Sequence, residues 1–235
     1  MDELDGMGVR GFIGLALSCG CILLGGWLAK PAYGSASWAA QEEYAGIIAT
    51  ARAKYGSGGA QAVSDWLSML DATRSMTETA KLQAVNKFWN TRLREASDIS
   101  VWGQEDYWAT PLESLGMGLG DCEDFVIGKY FSLVQLGVEP EKLRFIYVRA
   151  AIGANGVHSV AHMVLGYYAS PQAEPLVLDN LRPGIASASK RGDLTPVFSF
   201  NVKGIYVPGA KPASVDRIGR WQSLLVRMRD QGLRP

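Results

Sequence analysis

"GLGDCEDFVIGKYFSLVQLG", Gly118 to Gly137, decides how the rest of the chain is read. Phe125, Tyr130, Phe131 and Val134 recur at helical spacing, and Gly137 closes the run. The stretch predicts a helix from about Cys122 to Leu136 with a cysteine in its first turn. That cysteine stands among Asp121, Glu123 and Asp124. A nucleophilic cysteine must become a thiolate. At about 5 Å and an effective dielectric of about 20, each carboxylate opposes the thiolate by roughly 3 kcal/mol, or about two pKa units. Two readings follow: a reactive thiol in an adverse setting, or a small buried hydrophobe beside a helix cap supplied by Asp121.

Upstream of this helix the pattern is helical from Trp38 to about Gln104. Tyr44, Ile47, Ile48, Ala51 and Tyr55 form one stripe, ended by Gly56-Ser57-Gly58-Gly59. A second helix carries Trp66, Leu67 and Leu70. Ser75-Met76-Thr77-Glu78 reads as a capping box opening a third, with Leu82, Val85, Trp89 and Leu93 inward. The stretch from Val101 to Gly120 reads as loop, broken by Pro111. Its glycines do not match a dinucleotide fingerprint, because no strand precedes them and the spacing is wrong.

Downstream the period changes. "LRFIYVRA", "VAHMVLGYY", "PLVLDNL", "PVFSF" and "KGIYV" are β-rich runs set apart by turn residues, and a last helix is expected from Ser214 to about Arg229. Helices first and strands second argue for an α+β fold, not alternating α/β.

Composition narrows the class. Of 235 residues 48% are hydrophobic, with 7 Trp, 9 Tyr and 7 Phe, which marks a packed globule. Lys+Arg and Asp+Glu each number 23 and no long basic run occurs, so nothing points to nucleic acid. Gly11 to Ala29 is uncharged, follows Arg10 and ends at Lys30-Pro31. Residues 1–37 therefore read as an export signal, with cleavage after Ala36, or as an N-terminal membrane anchor. The acidic Asp2, Glu3 and Asp5 are atypical of such a signal. Residues 38–235 form the domain, placed outside the cytoplasm. Without Cys19 and Cys21, Cys122 is its one cysteine, a thiol that cannot form an internal disulfide.

Only two histidines occur, His158 and His162. His162 sits in an apolar strand and Asp179 ends the next one. A nucleophile on a helix, with base and orienting acid on adjacent strands, can converge from distant sequence positions. Each piece has a plainer counterpart: Asp121 as an N-cap, His162 as a core histidine, Asp179 as a turn residue beside Asn180. A zinc site from Cys122, His158 and His162 would need the histidines on a helix, which their β-branched neighbours disfavour.

The blocks "DYWATPLESLGMGLGDCEDFVIGKYFSL", "LRFIYVRA", "AHMVLGYY", "AEPLVLDNL" and "DLTPVFSFN" resemble the bacterial transglutaminase-like cysteine proteinases of the LapG type. The resemblance runs from about Trp102 to Tyr206. It implies a papain-like, transglutaminase-like core with N-terminal helices followed by an antiparallel sheet. It also implies Cys122 as nucleophile, His162 as general base, Asp179 as orienting acid, and a calcium (Ca2+) site on Asp121 and Glu123, with Asp124 a further member. By the same resemblance the protein is a periplasmic endopeptidase that cuts a large surface adhesin at a di-alanine site near its N-terminus, releasing cells from biofilm. An inner-membrane cyclic di-GMP receptor, through its periplasmic domain, is the implied partner. A non-catalytic binding module and a transglutaminase or amidase are the alternatives on the same fold. Calcium would also answer the charge problem at Cys122, because a bound cation inverts the local pKa logic.

Overall fold

The structure is a computed structural model that describes residues 34–153 and 156–234. The expected export signal or anchor lies mostly outside the described residues. No helix among the described residues is long and apolar enough to cross a membrane.

The expected stop at Gly56 is present, as a kink between two helices that follow each other directly. Gly56 takes φ 71, ψ −165 and the chain continues directly, so one element, α1 (Gly34–Thr73), contains both predicted helices. The cap of α2 (Glu78–Arg92) is Thr77, whose side chain accepts from the Ala80 N–H at 3.3 Å, not Ser75. After β1 (Arg94–Glu95) come α3 (Asp98–Trp102), at the end of the stretch read as helical, and α4 (Pro111–Met117), inside the stretch expected to be loop. Pro111 begins α4, where its missing N–H costs nothing, and Thr110 with Glu113 forms a capping box. Then β2 (Leu119–Gly120) pairs in parallel with β1, fixing the approach to α5 (Cys122–Gln135).

α5 is the central helix. Its residues from Asp124 to Leu133 are all buried, as a helix surrounded by protein requires. Ser132 ties it to the first two helices: its Oγ accepts from Trp66 Nε1 at 2.8 Å and Trp89 Nε1 at 2.9 Å, and donates to the Gly128 carbonyl at 2.7 Å. The remaining chain builds β3 (Leu143–Ile152), β4 (His158–Tyr167), β5 (Leu176–Leu178), β6 (Ala186–Ser187), β7 (Leu194–Asn201) and β8 (Gly204–Tyr206). They form an antiparallel sheet in the order β6-β5-β4-β3-β7-β8.

Strand alternation divides the sheet. Leu143, Phe145, Met163, Leu165, Leu178 and Phe200 belong to the main core with α5, whereas Ile146, Val148, Val164 and Val177 form a smaller cluster on the other face. The last helix, α6 (Gly219–Asp230), starts later than expected, after a 3-10 turn at Val215–Arg217. Its Trp221 stacks on Phe131 with ring centroids 5.7 Å apart, closing the core.

Candidate active site

Cys122 occupies the first turn of α5, half-buried against the main core. Its thiol donates to Glu123 Oε2 at 3.0 Å. Burial pushes the thiol well above its ordinary pKa, and the charges of Glu123 and Asp121 add to this. One group opposes them: the backbone of Met163, in β4, pulls the thiol pKa down. The fold thus brings Cys122 to the residue that follows His162.

His162 and Asp179 are brought into direct contact. Nε2 of His162 lies 2.7 Å from Asp179 Oδ1, with His162 4% exposed and Asp179 fully buried. Asp179 follows the last residue of β5, and its Oδ1 also accepts from the Leu181 N–H at 3.0 Å. The Asn90 side chain, from α2, holds the Asp179 carbonyl at 2.7 Å. Burial pushes the Asp179 carboxyl upward, but the hydrogen bonds from His162 and Arg191 outweigh it and set the group at about 2.

Arg191 is the member that the sequence did not announce. It is 4% exposed, and its Nη2 donates to Asp179 Oδ2 at 2.6 Å and to Asp193 Oδ2 at 2.8 Å. Its Nε donates to Asp193 Oδ1 at 3.0 Å. An arginine fork is suited to fixing a carboxylate in one orientation. No spacing rule links Arg191 to Asp179, because the contact is made across a turn that only the folded sheet defines.

Asp121 stands at the N-cap position of α5 but its side chain makes no cap hydrogen bond. It turns instead toward Asp98 and Asp124, and one carboxylate oxygen from each lies within 4.8 Å of the others. Asp98 Oδ2 accepts from the Tyr107 N–H at 2.5 Å and Asp124 Oδ1 from the Ala109 N–H at 2.8 Å. Asp98 Oδ1, Asp121 Oδ1 and Asp124 Oδ2 are buried with no partner among the described residues. Gly120 makes the approach possible, since a Cβ there would lie 2.8 Å from the Asp124 Cβ.

Three buried carboxylates with unsatisfied oxygens are costly without a cation or a proton. Burial first, then the charges of Glu123, Asp124 and Asp98, pushes Asp121 up to about 10. Asp98 and Asp124 are also displaced upward, chiefly by burial. A hard, oxygen-seeking divalent cation fits this donor set. Asp98 had no signal in the sequence beyond its place before "ISVW"; α3 carries it to the start of α5. Glu123 stands beside the cluster, with its Oε2 on the Cys122 thiol.

His158 is exposed at the start of β4. Four residues along a strand span roughly 13 Å, so His158 and His162 do not converge on one metal ion. Trp108 is 2% exposed, stacks on Phe200 at 5.9 Å between ring centroids and donates from Nε1 to Asp106 Oδ1 at 3.2 Å. It packs the core, and its indole N–H is already engaged.

The family model described as bacterial transglutaminase-like cysteine proteinase BTLCP matches residues 62–192. Solved structures of Legionella pneumophila LapG are similar over most of their length. One is 36% identical with a TM-score of 0.68, covering 79% of this chain and 95% of that one. The EGTA-treated form is 34% identical with a TM-score of 0.69, covering 79% and 97%. The calcium-bound form is 35% identical with a TM-score of 0.67, covering 79% and 98%. No curated protein matches the chain.

Proposed function

The chain belongs to the bacterial transglutaminase-like cysteine proteinases, and on that premise we propose that it is a calcium-dependent endopeptidase with Cys122, His162 and Asp179 as its triad. The observation that carries the reading is the buried His162–Asp179 pair held beside the helix that bears Cys122. Because Asp179 engages Nε2, Nδ1 is the imidazole nitrogen that takes the thiol proton. The Cys122 sulfur attacks the scissile carbonyl carbon. The Cys122 backbone N–H, at the head of α5, faces the developing oxyanion. His162 then gives its proton to the leaving amine, a thioester to Cys122 forms, and water activated by the neutral imidazole hydrolyses it.

Asp98, Asp121 and Asp124 would hold the calcium ion, with Glu123 beside them. When bound, the ion offsets the carboxylate charge that opposes the Cys122 thiolate. The similarity to a calcium-bound LapG structure supports calcium as the ion, and the buried acidic trio supports its place.

The substrate in this reading is the N-terminal region of a large surface adhesin, cut at a di-alanine site to release cells from biofilm. The enzyme acts in the periplasm, exported or anchored by residues 1–37, under an inner-membrane cyclic di-GMP receptor. The uncharged stretch from Gly11 to Ala29 supports export. The test is incubation of the protein with an adhesin N-terminal fragment in calcium or in EGTA, alongside Cys122→Ala. Cleavage by the wild type in calcium alone is expected. Absence of cleavage under every condition, or cleavage by Cys122→Ala, would contradict the proposal.

A further inference from the structure

The sheet leaves one stretch of β4 unpaired, and that stretch leads to His162. β4 pairs with β3 along its whole length, from His158↔Ile152 to Tyr167↔Leu143. On its other side β5 reaches only Leu165, Gly166 and Tyr167. Two backbone hydrogen bonds fix which residues face which side. The Tyr168 N–H donates to the Lys142 carbonyl at 2.7 Å, so the even-numbered residues of β4 turn toward β3. The Ala151 N–H donates to the Asp193 carbonyl at 2.8 Å, away from β4, and Ala151 is the register partner of Ser159. Ser159, Ala161 and Met163 therefore present N–H and C=O to the side that β5 does not cover. Met163 follows His162 and belongs to the core against which Cys122 packs. Ser159 and Ala161 are exposed and have no backbone partner on that side among the described residues.

An open strand edge is a template for an extended chain, and proteins cover it or use it. Here the free groups recur every second residue, about 6.7 Å apart, which is the repeat of an extended peptide. The next position in the row, Met163, directly follows His162, the proposed general base. We propose that the edge of β4 at Ser159 and Ala161 is the substrate-binding strand: residues on one side of the scissile bond add to the sheet there as an extra strand. This inference rests on the protease reading and names how that site holds its substrate. Backbone pairing serves any extended segment, whereas a folded one cannot enter. The substrate class is accordingly an unstructured or locally unfolded stretch of polypeptide, with small side chains easing the approach to the edge.

Ala161→Pro tests it, because proline removes the outward N–H and leaves the β3–β4 ladder intact. Cleavage of the adhesin N-terminal fragment in calcium should lose at least about ten-fold in kcat/KM, carried mainly by KM. Alkylation of Cys122 by iodoacetamide, which needs no backbone pairing, should stay within about two-fold of wild type. A second measurement leaves the enzyme unchanged. Di-alanine peptides, N-methylated at one backbone nitrogen at a time, compete with the fragment for wild-type enzyme. Loss of competition at alternate positions is expected; an equal effect at every position, with Ala161→Pro cleaving like wild type, overturns the inference. A dimer that dissociates in Ala161→Pro, with a flat methylation scan, would put a second copy on the edge and also overturns it. These outcomes leave the protease reading standing, which falls only if wild-type protein fails to cleave the fragment.

Discussion

Arg191 Nη2 donates to Asp179 Oδ2 at 2.6 Å, with neither side chain more than 4% exposed. The bond commits one carboxylate oxygen to arginine and leaves Oδ1 for His162 Nε2 at 2.7 Å. In the proposed triad Arg191 is thus a positioning residue, acting on the imidazole through Asp179. Arg191→Met should cost about 3–5 kcal/mol of stability, since it strands a buried carboxylate. Thermal unfolding should show it as a fall of about 10 °C. At a temperature where the variant is folded, kcat should fall more than KM rises, and Arg191→Lys should recover part of it. Wild-type turnover in Arg191→Met would remove the positioning role.

Asp179 also sets an acid limit on stability. Its pKa of about 2 lies below the ordinary value, so the folded state binds its proton less readily than the unfolded chain does. The resulting contribution, roughly 2–3 kcal/mol, is present in full above about pH 4 and is lost as pH falls through about 2. Urea unfolding of wild type and Asp179→Asn across that range should show the two converging in acid. A difference independent of pH would contradict this.

The orphaned oxygens of Asp98, Asp121 and Asp124 predict that calcium raises the midpoint of thermal unfolding, as a ligand of the folded state must. Asp98→Asn should weaken calcium binding by at least about ten-fold in calorimetry, since carboxylate oxygens are the preferred ligands. Asp98 lies outside the "DCED" block, so equal binding by Asp98→Asn would exclude this trio as the site.

Lys129 carries a different tension. It is fully buried in α5, its Nζ has no hydrogen-bond partner among the described residues, and it lies 5.9 Å from the Phe125 ring centroid. Burial pulls its pKa down to about 7, partly offset by the negative charge of Asp179. The unfolded chain therefore holds this proton more tightly, and stability rises with pH between about 7 and 10. Lys129→Met should stabilise the fold at pH 7 by a few kcal/mol and flatten that rise. Circular-dichroism melts at pH 7 and 9 decide it; a lower melting temperature at pH 7 would show that the ammonium is needed.

Much of this was legible in the chain because it is local. Gly118 to Gly137 holds its helix and cysteine in one apolar stripe, and β3 and β4 show their β-rich composition directly. α4 was hidden because Pro111 reads as a breaker unless Thr110 is seen as its cap. Thr77 took the cap from Ser75 because the chain turns into the helix later than the motif suggests. Asp98 and Arg191 carried no signal: each acquires its role from a contact made only when separate segments pack. The acids around Cys122 were visible, but not that Asp121 would forgo its cap and face Asp98 and Asp124.

The central claim is that the acidic setting of Cys122 becomes compatible with a nucleophile once a cation occupies the aspartate trio. Its most direct test is the rate of Cys122 alkylation by iodoacetamide at neutral pH, read at that residue by mass spectrometry, in calcium and in EGTA. Calcium should accelerate it by at least about ten-fold, since relief of one carboxylate charge corresponds to about two pKa units. His162→Ala should remove most of the gain. Equal rates in calcium and EGTA would contradict the account.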